Sequence, residues 1–176
     1  NFFLAVIFPH NQMKILPYNR VVRDLHGLDA AAFLDRVSKS FAVRPDAPAA
    51  PARSRRFSMF LEGRWYGLEA RPGTCDLDDP VASLDVSILQ NDLLAPVLGV
   101  ADPRTDKRID FVGGIRGTAE LEKKVRSGRF AVAFSLFPTT IEQLFSVADA
   151  GKIMPPKSTW FEPKLKDGLV VHMIDE

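Results

Sequence analysis

Two stretches of the sequence, FFLAVIF (Phe2–Phe8) and FAVAFSLF (Phe130–Phe137), run without a single charged residue. Both fall far short of the roughly 20 apolar residues that a membrane-spanning helix needs. Both are rich in aromatic and β-branched side chains, which suit a pleated backbone. A strand that is apolar on both faces is stable only where other elements cover both faces. The chain is therefore expected to build a covered sheet, with Phe2–Phe8 and Phe130–Phe137 as buried strands.

The segments between them supply the covering layers. Asp29 is placed to cap a helix through AAAFLDRVSKSF, whose Ala31, Leu34, Val37 and Phe41 share one face. Asp79 and Pro80 open a segment to Gly99 whose Leu84, Val86, Ile88, Leu89, Leu93 and Leu94 cover more than one stripe, as in a deeply buried helix. Thr118 is expected to cap AELEKKVRSG, an exposed helix supported by Glu120 with Lys124 and Glu122 with Arg126 and stopped at Gly128. Thr139 and Glu142 read as a capping box before the stripe Ile141, Leu144, Phe145 and Ala148.

RFSMFLEG and RWYGLEA form a hairpin that turns near Glu62 and Gly63. Pro17 argues against a central place in the sheet for the extended segment through Ile15, Leu16 and Val21. LVVHMI near the carboxyl end reads as a last strand, with His172 packed in the core. These elements predict the α+β class: a mixed, largely antiparallel sheet with helices packed on it, in one domain over residues 1–176. Arg44–Arg56, with prolines, alanines and arginines but no large apolar side chain, is expected to be a mobile loop. Because the first residues run straight into a strand, the chain is expected to be a piece of a longer protein.

Charge narrows the partners. The 23 basic and 22 acidic residues leave a net charge of +1, too little for a long-range field that would hold a polyanion, which argues against nucleic acid. No membrane partner is expected. Cys75 is the only cysteine, so no internal disulfide can form, and a reducing cytoplasmic setting is the simplest expectation. Cys75 sits among acidic neighbours in TCDLDD, which would raise its thiol pKa and weaken it as a nucleophile. His10, His26 and His172 are widely separated and have no ligand spacing, so no metal site is expected. His10 beside Asn11 and Gln12 is the one candidate for acid or base work.

Three segments carry binding chemistry. GGIRGT (Gly113–Thr118) lies between a strand and a helix start, where backbone amides favour an anion; Gly114 and Arg116 are its candidate ligand residues. Its spacing fits neither the phosphate-cradling loop nor the dinucleotide fingerprint, so a tight structural turn stands as the other reading. Thr139 and Thr140 mark a second strand-to-helix junction, where one hydroxyl caps and the other can meet a ligand. MPPKSTWFEPK is the third. Its prolines stiffen a loop that offers Lys157 for a phosphate or carboxylate, Ser158 and Thr159 for hydrogen bonds, and Trp160 for stacking. The same loop can equally plug the edge of the core.

Together HNQMKILPYNRVVRDL, LDVSILQNDLLAPVLGV, RIDFVGGIRGTAELE and FSLFPTTIEQLFSVADAGKIMPPKSTWFEPKL resemble the carboxyl-terminal half of a bacterial family catalogued as domain of unknown function 1015. The resemblance covers nearly the whole chain except Arg44–Arg56. Full-length members resemble ParB and sulfiredoxin in their amino-terminal half, so the resemblance implies that such a half, with a DGHHR-type motif, is missing here. Any nucleotide would reach the site through that half, and the half itself is the first expected partner. Members often neighbour serine-biosynthesis genes, which implies handling of serine or phosphoserine. Two functions are carried forward. One is small-molecule phosphotransfer, with this chain as an anion-binding wall for a phosphorylated or carboxylate molecule. The other is a non-catalytic inter-domain or homodimer contact.

Overall fold

The computed structural model describes residues 5–166 and 168–173. It confirms the α+β class with a largely antiparallel sheet, and among the described residues every strand pairing is antiparallel. In chain order the elements are β1 (Lys14–Leu16), β2 (Tyr18–Val22), α1 (Ala30–Ser40), β3 (Phe41–Pro45), β4 (Arg56–Leu61), β5 (Arg64–Ala70) and α2 (Asp85–Leu89). There follow a π-helical turn at Gln90–Leu94, β6 (Ile109–Gly113), a 3-10 turn at Gly114–Arg116, α3 (Gly117–Arg126), β7 (Val132–Leu136), α4 (Ile141–Asp149) and β8 (Trp160–Glu162). The main sheet has six strands in the order β3-β5-β4-β7-β2-β6, while β1 and β8 pair in a small sheet of their own.

Alternation along the strands sorts the core into two layers. Val22, Phe57, Met59, Leu61, Phe134 and Leu136 turn to one face and pack with Phe33 and Val37 of α1 and with Ile88, Leu89 and Leu93 of the buried helix. Val21, Phe60, Val112 and Ala133 turn to the other, where Leu121 of α3 and Phe130 close a smaller cluster. Trp65 Nε1 donates to Glu122 at 2.9 Å and ties β5 to α3 on this second face.

Local signals explain most boundaries. Asp29 Oδ1 accepts from Ala32 N at 2.8 Å, which fixes the start of α1. Glu62 and Gly63 both have positive φ, as the tight turn between β4 and β5 requires. Asp79 accepts the amides of Val81 and Ala82 and pairs with Lys152 at 2.7 Å, so it caps a preceding turn rather than α2 itself. Its carboxyl is held down to about 2, first by the Lys152 hydrogen bond and then by those amides.

Several expectations change. Residues 5–8 form no strand, and Ile7 is 92% exposed; residues 2–4 of the expected first strand lie outside the described residues. Leu169–Met173 is likewise exposed and unpaired in secondary structure, with His172 on the surface rather than in the core, and Ile174 lies outside the described residues. Composition favoured a strand in both places, but neither segment finds a partner edge within the described fold. Pro17 does not keep its segment from the sheet centre: the chain leaves the small sheet at Pro17, and β2 enters between β7 and β6.

Thr118 lies inside α3, which has no side-chain cap, and Lys124 reaches Asp110 at 3.2 Å instead of Glu120. Glu122 does pair with Arg126, at 3.5 Å. In the Pro/Ala/Arg-rich segment, Arg44 and Pro45 belong to β3 and Arg56 to β4. Between them Ala47 N donates to Trp65 O, Ser58 Oγ to Pro48 O, and Ser54 Oγ and Arg55 N to buried Asp85 at 2.6 and 2.9 Å. Backbone and polar contacts, not apolar burial, hold this course. Burial pushes the Asp85 carboxyl up despite those two donors.

Phe134 is fully buried in β7, flanked by Met59 of β4 and Arg20 of β2. Phe134→Ala is expected to lower stability by about 3–5 kcal/mol, read as a fall in the urea midpoint at unchanged slope. Phe145→Ala, at a side chain more than half exposed, should move the midpoint by only about 0.5 kcal/mol.

Candidate functional site

The segments expected to carry chemistry converge at the end of the main sheet where β2 begins and β6 and β7 end. Tyr18 opens β2 and pairs with Gly113, the last residue of β6. A Cβ built on Gly113 would lie 2.5 Å from the Trp160 ring, so glycine is needed here for space, its backbone being ordinary extended. Gly114 N donates to Pro17 O at 2.8 Å, which commits that amide to the turn rather than to an anion. Thr139 is buried, and its hydroxyl donates to Ser158 O at 3.2 Å, tying the proline-braced loop to the end of β7.

Thr140, not Thr139, caps α4: its Oγ1 accepts from Gln143 N at 3.2 Å while Gln143 Oε1 accepts from Thr140 N at 3.0 Å. The box is thus shifted by one residue from Thr139 and Glu142. His10 sits exposed in a 3-10 turn, His10–Gln12, and lies close enough to help lower the Glu142 carboxyl. The larger causes there are the Glu142 backbone amide and the Thr140 side chain.

Trp160 is occupied from several sides. Its Nε1 donates to Glu162 at 2.5 Å, Lys164 Nζ lies 4.3 Å from its ring centre, and Tyr18 meets it edge to face at 5.3 Å. These contacts give it a structural role in joining the small sheet to β2. Lys157 is exposed, with φ +54, and its ammonium lies 5.6 Å from the centre of the Tyr18 ring. Thr159 is half-buried beside it. Arg116 is exposed at the end of its turn, and among the described residues no hydrogen bond or ion pair joins it to Lys157. The three backbone segments therefore meet, but the Arg116 and Lys157 side chains are not brought into contact.

One residue that the sequence reading passed over lies beneath this junction. Arg20 stands in the middle of β2, opposite Phe111 and Phe134, and is only 4% exposed. Its guanidinium stacks 5.5 Å from the Phe111 ring centre. It donates to the carbonyl of Tyr18 and, at 3.2 Å, to the carbonyl of Lys157. Among the described residues no carboxylate pairs with it, and burial alone lowers its pKa to about 10. At neutral pH it remains a cation, desolvated and without a counter-charge.

Arg20 opens onto a cleft of about 340 Å3 between the buried helix, the turn at Asp102–Arg104 and the loop prolines Pro155 and Pro156. Ser87, Gln90 and Asn91 line it from the helix. The π-helical turn, closed by Ala95 N to Gln90 O, sits at the cleft wall, and Gln90 Nε2 is held by Val100 O at 2.7 Å. Arg104 also lines the cleft, but Asp102 neutralises it through two 3.0 Å bonds and is itself held below the usual carboxylate range by them.

Cys75 is half-buried, and burial raises its thiol pKa first, with Asp92, Asp76 and Asp85 adding to the rise against Arg55. The described residues hold no group of His, Cys, Asp and Glu able to bind a metal ion. No described helix is long and apolar enough to cross a membrane.

A family model described as "Protein of unknown function (DUF1015)" matches residues 1–87. The match supports the resemblance across β1 to α2, including Arg20, and ends before the Thr139–Trp160 segments. No curated protein matches. Among solved structures, a conserved hypothetical protein from Pyrococcus furiosus is 16% identical with a TM-score of 0.50, covering 85% of this chain and 56% of its own. A free serine kinase in complex with AMP is 15% identical with a TM-score of 0.49, covering 85% of this chain and 54% of its own. A mutant of a free serine kinase in complex with ADP is 14% identical with a TM-score of 0.48, covering 89% and 58%. At such identity the likeness to the Pyrococcus furiosus protein is one of fold. The chain spans a little over half the length of these structures.

Gly113→Ala is expected to push Trp160 away from β2 and cost about 1–3 kcal/mol by overpacking. In a Trp65→Phe background, Trp160 emission should shift to the red; an unchanged spectrum and midpoint would show that the indole does not rest on Gly113.

Proposed function

We infer that this chain supplies the anion-binding wall of a site that handles a small phosphorylated or carboxylate molecule, in phosphotransfer linked to serine or phosphoserine. The observation that carries the reading is Arg20, a buried guanidinium with no carboxylate partner among the described residues, facing a cleft. A cation kept in such a place is costly unless an anion arrives to offset it. Lys157, anchored through its own carbonyl to Arg20, adds a second positive charge at the surface of the same junction. In this role Arg20 and Lys157 hold charge, Thr139 and Ser158 keep the loop in register, and Arg116 contributes only a distant field. The nucleotide of such a reaction would be held by an amino-terminal half of the full-length protein.

A second reading, an inter-domain or homodimer contact, is favoured by a different observation. Val6, Ile7 and Phe8 at one end and Leu169, Val170, Val171 and Met173 at the other are exposed apolar side chains. Such runs are what a partner surface covers.

Titration of the protein with L-phosphoserine tests the first reading. Lys157→Ala combined with Arg116→Ala is expected to weaken binding by roughly tenfold, most of it from Lys157, since a surface cation contributes about 1 kcal/mol. An unchanged titration would remove Lys157 from the site. Absence of binding, together with concentration-dependent self-association in sedimentation, would favour the second reading.

A further inference from the structure

We propose that the cleft above Arg20 is a carboxylate site: Arg20 takes the carboxylate of a small molecule, such as an α-amino acid, and leaves any phosphoryl group outside. The proposal rests on the anion-wall reading and names the ligand chemistry of that wall.

The first argument is charge balance. At the cleft floor there is one uncommitted positive charge. Among the described residues Arg20 has no anionic partner, whereas Arg104 at the rim is already matched by Asp102 through a two-point contact. A phosphate dianion placed there would leave an excess negative charge in a desolvated setting, but a singly charged carboxylate group offsets the Arg20 guanidinium one for one.

The second argument is shape. Two guanidinium protons are spent on the carbonyls of Tyr18 and Lys157, and Phe111 covers one face of the plane. What remains is a fixed, planar group with spare N–H donors, which matches a planar carboxylate in the paired fashion typical of arginine. The two carbonyls also prevent the guanidinium from swinging out to solvent, so the ligand must come to it.

The third argument is the remaining wall. Ser87 and Asn91 add neutral hydrogen-bonding groups, Pro155 and Pro156 add apolar surface, and the one other cation of the lining, Arg104, is the one paired with Asp102. Neutral donors and acceptors fit the amino and hydroxyl groups of a small polar molecule better than a second anionic group. A volume near 340 Å3 lies in the range of small-molecule pockets.

The test is calorimetric titration of the protein with L-phosphoserine, its decarboxylated analogue phosphoethanolamine, and L-serine, repeated on Arg20→Met and Arg20→Lys. Phosphoserine is expected to bind at least about tenfold more tightly than phosphoethanolamine, and Arg20→Met should weaken phosphoserine by roughly 30-fold or more while leaving phosphoethanolamine unchanged. Arg20→Lys should recover only part of the loss, because the ammonium lacks the planar fork.

If both phosphorylated compounds bind alike and lose affinity alike in Arg20→Met, the carboxylate assignment is overturned and the anion wall survives. If L-serine binds through Arg20 but neither phosphorylated compound binds, the phosphotransfer reading fails and the carboxylate site stands. If no compound binds to folded wild-type protein, both fall. Should Arg20→Met not fold, Arg20→Lys and the wild-type comparison of phosphoserine with phosphoethanolamine decide the matter by the same criteria.

Discussion

The antiparallel register of Tyr18–Val22 between Ile109–Gly113 and Val132–Leu136 is the constraint on which the rest of the molecule depends. Because side chains alternate across a strand, this register sends Val21 into the smaller cluster beside α3 and commits Val22 to the larger core. Arg20 must then share the face of Val22, among Phe111 and Phe134. A slip by one residue would bury Asn19 there instead and put the guanidinium on the α3 side. The placement of a charge in the core face is thus a consequence of sheet pairing, maintained by the apolar residues around it.

The loop from Met154 to Trp160 follows from the same register. Gly113 pairs with Tyr18 and leaves room for the Trp160 ring, and Thr139 fastens Ser158 to the end of β7. The loop backbone then passes over β2 with the Lys157 carbonyl aimed at Arg20. Prolines at 155 and 156 limit the alternatives open to this backbone, so little ordering remains to be done when a ligand enters the cleft. Arg20 is held by carbonyls, which orient it without cancelling its charge. A carboxylate in their place would have closed the site electrostatically.

Where structure is local, the sequence was readable. Asp29 before α1, the Glu62–Gly63 turn and the Glu122–Arg126 pair of α3 are set by neighbours a few residues apart, and each is found. Errors of one position arose where adjacent residues offer equivalent groups: Thr139 and Thr140 both carry hydroxyls, and Glu142 and Gln143 can both close a capping box, so only the packing of Thr139 against Ser158 decides. The apolar ends at Phe2–Phe8 and Leu169–Ile174 read as strands because composition reports propensity but not whether a pairing edge exists. Arg20 was hidden for the opposite reason. In YNRVV it looks like a polar residue on an exposed edge, and Pro17 strengthens that impression, yet long-range pairing with β6 and β7 buries it. Its neighbours in the cleft come from positions 81 to 156, a separation that no local pattern reports.

The most direct measurement is high-resolution diffraction from crystals grown with L-serine. The account predicts planar density for a carboxylate in the cleft, its oxygens about 2.7–2.9 Å from Arg20 nitrogens, with the carbonyls of Tyr18 and Lys157 still accepting from the same guanidinium. Density for the ligand elsewhere with the cleft holding only water, or a carboxylate of the protein itself turned onto Arg20, would contradict it.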